Sequence, residues 1–343
     1  MLIKKTAITF SEGSVAGLCP AERRGLGQSP ITNKKIRLGG LELSSNVLMA
    51  PMAGYSCFPF RMMCYELGAG LCFTEMVSCN ALKYKDVATA NLLFTTKDET
   101  IKAAQLIGSD PRVMGKMASS EELAPFAIID INMGCPVPNV IKRGEGCALL
   151  TDFNRASSII KNVRRSGKIT TVKMRVGMHG NNLVAAEFAK MCEESGAEML
   201  SVHGRTRDMM YSGTPFYDQI ERIKSVVKIP IIANGGIFSV DEAEKMMDLT
   251  GADGVMIARY ALENPFIFSE LTGTPTNQSK LSILLWQIAL TSEYYDKYFT
   301  LSYIKKIASY FMKKREGVKK YKLALHNCSE IKELEEVLYK IFE

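Results

Sequence analysis

Eight short runs rich in β-branched, Leu, Met and Ala residues punctuate the chain between residues 47 and 258, at 47–50, 71–76, 101–107, 128–133, 170–176, 199–203, 230–233 and 254–258. Runs of this length flanked by Gly, Pro, Asn or charged residues read as buried strands. Between them the period changes to that of a helix. In 182–195, for example, Val184, Phe188, Met191 and Cys192 fall at i, i+4, i+7 and i+8 behind Asn181, a candidate cap. Strand then helix, eight times over, is the arithmetic of a (β/α)8 TIM barrel. A doubly wound sheet also alternates, but no Gly-x-Gly-x-x-Gly follows the first run, so closure is the better expectation.

After residue 270 the strand pattern stops. Residues 281–343 carry Leu, Ile, Tyr and Phe at three- and four-residue spacing, the mark of an all-helical region, and 272–279, with Gly273, Pro275, Asn277 and Gln278, reads as the linker. Residues 1–33 show no sustained period and hold Pro20, Gly25, Gly27 and Pro30, so they read as an extension of unknown role. The expected organisation is an extension over 1–33, a barrel over 34–270 and a separate helical domain over 271–343.

Composition narrows the class. With 343 residues, 47% hydrophobic and 23% charged, the chain has the balance of a globular protein, which excludes a disordered or fibrous one. The best candidate for a membrane span, 281–290, is too short and carries Ser282 and Gln287. Lys4 and Lys5 precede a brief apolar run that Glu12 ends, so no export signal is expected. Nine cysteines without a Cys-x-x-Cys pair imply neither a disulfide framework nor a zinc site, and a reducing cytoplasm is the expected location. The net charge of +7 is concentrated: residues 297–322 hold nine Lys or Arg against Glu316 alone. Tyr298, Phe299, Tyr303, Tyr310, Phe311 and Tyr321 are interleaved with them, which suits a surface that follows phosphates and offers rings for packing or stacking. A solvated amphipathic helix with aromatic core positions has the same pattern.

Candidate chemistry sits where the strands end, the active face of such a barrel. The strand ends present Pro51-Met52-Ala53-Gly54, then Glu75, Gln105, Asn132 with Gly134-Cys135-Pro136, Lys173 and Arg175, His203 with Arg205, Asn234-Gly235-Gly236, and Ala258-Arg259. The last two groups suit a phosphate, through backbone N–H groups and one guanidinium. Lys173, on an alternate position of its strand, points into the barrel and needs a partner there, either an electron-rich flavin edge or a carboxylate such as Glu75. Cys135 stands in a Gly-Cys-Pro loop as a candidate general acid or nucleophile, with Cys147 as its rival. His203 is either hydrogen-bonded scaffold or a site residue.

Taken in order, Ala50-Pro51-Met52-Ala53-Gly54, Pro59-Phe60-Arg61, Phe73-Thr74-Glu75-Met76, Gln105 to Pro111, Asp130-Ile131-Asn132-Met133-Gly134-Cys135-Pro136, His203-Gly204-Arg205-Thr206-Arg207, Tyr211-Ser212-Gly213 and Asn264 to Phe268 resemble the tRNA-dihydrouridine synthase family, within it the bacterial B-type group. The resemblance runs from Ile36 to Phe268, and 304–314 is more weakly similar to the family's RNA-binding tail. It implies an FMN enzyme that reduces the 5,6 double bond of specific uridines in tRNA, with NADPH, or NADH, as the reductant. On it, Cys135 is the proton donor to C5. Pro51, Met52, Ala53, Gln105, Lys173, His203, Asn234, Gly235, Gly236, Ala258 and Arg259 hold the flavin. Glu75, Asn132, Arg175, Arg205, Lys305 and Lys306 are assigned to the substrate. No metal and no membrane are expected, and a monomer is. The sequence departs from the family at Ser56-Cys57, Asn139, Gly236, Ala258 and Tyr260. A small-molecule FMN oxidoreductase of the dihydroorotate dehydrogenase kind and a non-catalytic tRNA-binding protein are the competing classes.

Overall fold

The computed structural model describes residues 34–180 and 182–343; the extension over 1–33 and the candidate cap Asn181 lie outside them. Eight parallel strands form the barrel: β1 (Val47–Met49), β2 (Leu71–Ser78), β3 (Ala103–Ile107), β4 (Ile128–Met133), β5 (Ile169–Arg175), β6 (Met199–His203), β7 (Ile231–Asn234) and β8 (Gly254–Ile257). Each pairs with its neighbours in sequence, and β8 returns to β1 through Val255 opposite Val47, which closes the ring. The long helices outside it are α1 (Phe58–Glu66), α2 (Pro111–Ala118), α3 (Phe153–Arg164), α4 (Ala185–Glu194), α5 (Tyr217–Val226) and α6 (Val240–Thr250). Their starts are written locally: Asp110 accepts from the N–H groups of Arg112 and Val113 ahead of Pro111, Asp152 from Arg155, and Ser239 from Glu242.

The period of two sorts the strand residues into two cores. Val47, Met49, Val172, Met174, Leu200, Val202, Val255 and Ile257 face outward and pack with Phe60, Ile159, Phe188 and Ile220 of the helices. Leu48, Phe73, Ile128, Met199, Ile232 and Met256 face inward. That inner core is sealed from below by a hairpin, Arg37–Leu38 paired with Leu41–Glu42, whose Ile36, Leu38 and Leu43 are buried in it. Near the mouth, Arg61 of α1 is fully buried and forms a two-pronged pair with Glu99, Nε to Oε1 at 2.6 Å and Nη2 to Oε2 at 2.8 Å. It also donates to the carbonyls of Ser56 and Phe94, each at 2.9 Å. One side chain thus ties together the loop after β1, helix α1 and the return before β3.

Helix α4 begins later than its periodicity suggests. Asn182–Leu183 first pair with Gly177–His179 as a short antiparallel hairpin, and Val184 starts the helix without a side-chain cap. Beyond the barrel lie α7 (Lys280–Tyr294), α8 (Lys297–Phe311), α9 (Val318–Asn327) and α10 (Ile331–Phe342). Ser279 caps α7 with a capping box and Asp296 caps α8. The bundle is fastened to the barrel by polar contacts: buried Gln287 donates to the Pro59 carbonyl at 3.0 Å while accepting from Tyr303 at 2.6 Å, and the hydroxyls of Tyr55 and Tyr310 lie 2.8 Å apart. No helix among the described residues is long and apolar enough to cross a membrane.

Replacing Arg61 by Leu leaves Glu99 as a buried charge with no counter-ion, and the expected loss of unfolding free energy is about 3–5 kcal/mol. Urea denaturation of the variant measures it; a loss below about 1 kcal/mol would show that the pair is dispensable.

Candidate functional site

A cavity of about 350 Å³ opens at the C-terminal ends of the strands, within the size range of ligand sites. Pro51, Met52, Ala53, Gln105, Lys173, His203, Asn234, Gly235, Gly236, Ala258 and Arg259 all line it, together with Cys135, Asn132, Arg175 and Arg205. Its wall carries four cations, Lys173, Arg175, Arg205 and Arg259, and no carboxylate. A concave surface with that surplus is built for an anion.

The cradle at one end comes from the loops after β7 and β8. Gly235 and Gly236 have φ of +113° and +74°, which aims a bend of backbone at the cavity. A Cβ on Gly235 would lie 2.6 Å from Cδ2 of His203, so only glycine lets the turn pass beside that ring. Arg259 is exposed next to it, its guanidinium 4.2 Å from the centre of the Tyr211 ring. Arg205 Nη1 stands 3.3 Å from His203 Nε2; a guanidinium only donates, so Nε2 accepts and the imidazole is neutral. Burial, followed by the charges of Lys173, Arg175, Arg205 and Arg259, holds His203 well below its ordinary value, in agreement.

Lys173 reaches Asn234 Oδ1 at 3.3 Å, and Asn234 in turn donates to the Met256 carbonyl at 2.7 Å. Glu75 is not the partner of Lys173. A register shift between Phe73 and Met76 bulges β2. The Glu75 carboxylate accepts from the Gly54 N–H, while Met76 lines the cavity. Glu75, expected at the substrate, holds the loop after β1 and does not itself line the cavity. Lys306 acts on the same loop, donating to the Gly54 carbonyl with its ammonium 4.6 Å from the centre of the Tyr55 ring.

Cys135 follows β4 in a loop fixed from three sides. The Gly134 and Cys135 N–H groups donate to Asn132 Oδ1 at 3.1 and 2.9 Å, Arg175 Nε donates to the Gly134 carbonyl at 3.1 Å, and the Cys147 N–H donates to the Cys135 carbonyl at 3.1 Å. Gly146 makes this approach possible: at φ +60° its Cβ would stand 2.8 Å from the Cys135 oxygen. Burial raises the Cys135 thiol above its usual range, against a weaker opposing pull from the Val137 N–H. At neutral pH the thiol therefore keeps its proton and faces the cavity, which suits a proton donor. Cys147, the rival, is fully buried with its thiol pushed up to about 12.

The cations assigned to substrate divide by what they hold. Arg175 donates to the carbonyls of Thr206 and Met210 at 2.9 and 2.7 Å, and Arg205 to those of Ser212 and Gly213 at 3.0 and 2.7 Å. Together they pin the loop that carries Tyr211. Lys305 is spent on the carbonyls of His326 and Cys328 at the end of α9. The interleaved aromatics pack rather than stack outward: Tyr303 and Phe311 are buried, Phe299 stacks between Tyr295 and Tyr303, and Tyr298 is exposed. Lys314, Lys319, Lys320 and Lys322 are exposed, without a hydrogen-bond or ion-pair partner among the described residues. Tyr211 escaped the sequence reading as a site residue because its place depends on those pinned loop carbonyls. Asp130 escaped it too, although its alternation with Asn132 on β4 signals an inward position. No cluster of metal-ligand residues occurs among the described residues.

Fold and site together define a (β/α)8 barrel whose mouth is lined by four cations, the Gly235-Gly236 turn and Cys135. The family model described as Dihydrouridine synthase (Dus) matches residues 48–343. Curated relatives include tRNA-dihydrouridine synthase B of Vibrio cholerae, 35% identical over 291 residues, covering 82% of this chain and 90% of that protein. The Pasteurella multocida protein of the same name is 36% identical over 270 residues, 76% and 81% of the two chains. A probable tRNA-dihydrouridine synthase of Rickettsia conorii is 38% identical over 238 residues, 69% and 72%. The chain belongs to the dihydrouridine synthase family, and with it to the oxidoreductases. Among solved structures, a variant of NCR from Zymomonas mobilis aligns with a TM-score of 0.50 at 17% identity, over 74% of this chain and 94% of that one, which shows a shared barrel fold.

Burial, aided by Arg175, pushes the Lys173 amine down to about 8 from 10.5. Between those values the unfolded chain binds more protons than the folded one, so this group makes stability rise with pH across that window. The melting temperature of the ligand-free protein is expected to climb from pH 8 to 10.5 relative to Lys173→Met; a difference that does not change with pH would show an ordinarily solvated amine.

Proposed function

We propose that the protein reduces the 5,6 double bond of uridines in tRNA, with FMN held in the barrel mouth and NADPH as the reductant. The observation that carries this reading is that Cys135, its thiol raised above its usual range by burial, lines the same cationic cavity as the Gly235-Gly236 turn and Arg259. The residues present suit FMN: the N–H groups of Gly235 and Gly236 with Arg259 offer a phosphate site, Lys173 and Gln105 offer polar groups to a ring edge, and Pro51, Met52 and Ala53 offer a surface to its face. FMN, when bound there, supplies the hydride that the protein's side chains cannot.

The chain itself supplies position and protons. Cys135 holds the proton that the reduced pyrimidine needs at C5, and its fixed loop keeps that proton at one place in the cavity. His203, neutral and tied to Arg205, does not compete as an acid. A uracil inside a folded tRNA must leave its stack to reach the barrel mouth, at a cost of a few kcal/mol. The exposed Lys314, Lys319, Lys320 and Lys322 offer contacts to the RNA backbone that offset this cost.

Nucleoside mass spectrometry of unmodified tRNA incubated with protein, FMN and NADPH tests the reading, and uridine gaining two hydrogens is the expected product. Cys135→Ala should retain FMN and NADPH oxidation while losing roughly 10²–10⁴-fold in tRNA reduction, and Cys147→Ala should reduce tRNA normally. Undiminished reduction by Cys135→Ala would remove the thiol from the chemistry. Absence of product from a protein that binds FMN and oxidises NADPH would point to a small-molecule substrate.

A further inference from the structure

Asp130 is 1% exposed beneath the cavity, and the chemistry above makes no use of it. Its Oδ1 accepts from Thr171 Oγ1 at 2.7 Å and its Oδ2 from Gln105 Nε2 at 2.7 Å. An ionised carboxylate only accepts hydrogen bonds. Gln105 must therefore aim its amide nitrogen downward, which leaves Oε1 to accept from Asn132 Nδ2 at 2.9 Å. Asn132 in turn has only Oδ1 left for the N–H groups of Gly134 and Cys135, at 3.1 and 2.9 Å. Each amide has one orientation that satisfies both neighbours. Turning either one over sets donor against donor somewhere along the line, in a buried place where an unmade bond is expensive.

We propose that Asp130 is a positioning residue for Cys135: by accepting from Gln105 it fixes the direction of every hydrogen bond from Gln105 through Asn132 to the cysteine's backbone N–H. The proposal rests on Cys135 being the proton donor and explains what holds that donor in place. It follows that the identity of the group at position 130 is felt at the thiol through two amides. The requirement is an acceptor aimed at Gln105 rather than a negative charge. Asn at 130 meets it, with Oδ1 toward Gln105 and Nδ2 toward the Thr171 hydroxyl, whereas Leu does not.

The test compares Asp130→Leu, Asp130→Asn and Thr171→Val with the wild type. Two readouts are used: the iodoacetamide alkylation rate of Cys135 in flavin-free protein, followed by peptide mass spectrometry, and kcat and KM for tRNA in the FMN-loaded enzyme. Asp130→Leu should raise the alkylation rate at least about threefold and lower kcat at least about tenfold with KM little changed, while Asp130→Asn stays within about twofold on both. Thr171→Val, which leaves the line to Gln105 intact, should not change alkylation. Wild-type behaviour of a folded Asp130→Leu, equal damage from Asn and Leu, or a rise with Thr171→Val would overturn the proposal. Should Asp130→Leu fail to fold, Gln105→Leu cuts the same line one link nearer the thiol and must raise alkylation in the flavin-free protein; no rise overturns the proposal. If wild-type protein makes no dihydrouridine, the functional reading falls, and the alkylation series still decides whether Asp130 positions the cysteine.

Discussion

A closed barrel of eight strands must fill its own interior, and the way this one does so determines where its chemistry lies. Inward positions at the lower end are apolar and are capped by Ile36, Leu38 and Leu43 of the N-terminal hairpin. One layer up the filling turns polar with Asp130, Thr171 and Gln105, and above it stand Asn132, Lys173 and His203. Burial pushes the Asp130 carboxyl up to about 6, against the hydrogen bonds from Gln105 and Thr171 and the charge of Lys173. That acid still ionises at neutral pH because its oxygens are met. The polar layer is therefore costly to assemble and has few alternative arrangements, which is the property a site needs if a thiol is to be held still.

The helical bundle is joined to this layer through a loop they share. Pro51, Met52, Ala53 and Tyr55 line the cavity, and the same loop is gripped by Glu75 at the Gly54 N–H, by Lys306 at the Gly54 carbonyl and by Tyr310 at the Tyr55 hydroxyl. Lys313 adds an ion pair to Glu263, beside the loop that carries Arg259. Two of the cations that the sequence offers to RNA are thus committed to docking, and those left free gather around the start of α9. The bundle fixes one wall of the cavity as well as presenting charge.

The strands were legible because each carries its own signal, a short apolar run whose alternate residues must face opposite cores. The mouth residues followed from them, since the ends of parallel strands converge on one face. What the sequence did not show depends on non-local geometry. The bulge in β2 turns Glu75 away from Lys173, and no periodicity marks it. Lys305 looks like a surface cation until α9 folds back and offers its last carbonyls. Phe299 and Tyr303 have the spacing of a stacking face, but Tyr295 and Gln287 claim them first. Gly177–His179 and Asn182–Leu183, ahead of α4, pair as two short strands that the helical period hides.

The central claim is that the fold presents Cys135 to the cavity as a thiol with its proton in place. The pH dependence of iodoacetamide alkylation at Cys135, resolved from the other cysteines by peptide mass spectrometry in flavin-free protein, tests it most directly. An apparent pKa above the ordinary thiol value of about 8.5, with little reaction at pH 7, is the predicted result. A titration centred at or below about pH 7 would mean that the site holds a thiolate and that the proton comes from elsewhere.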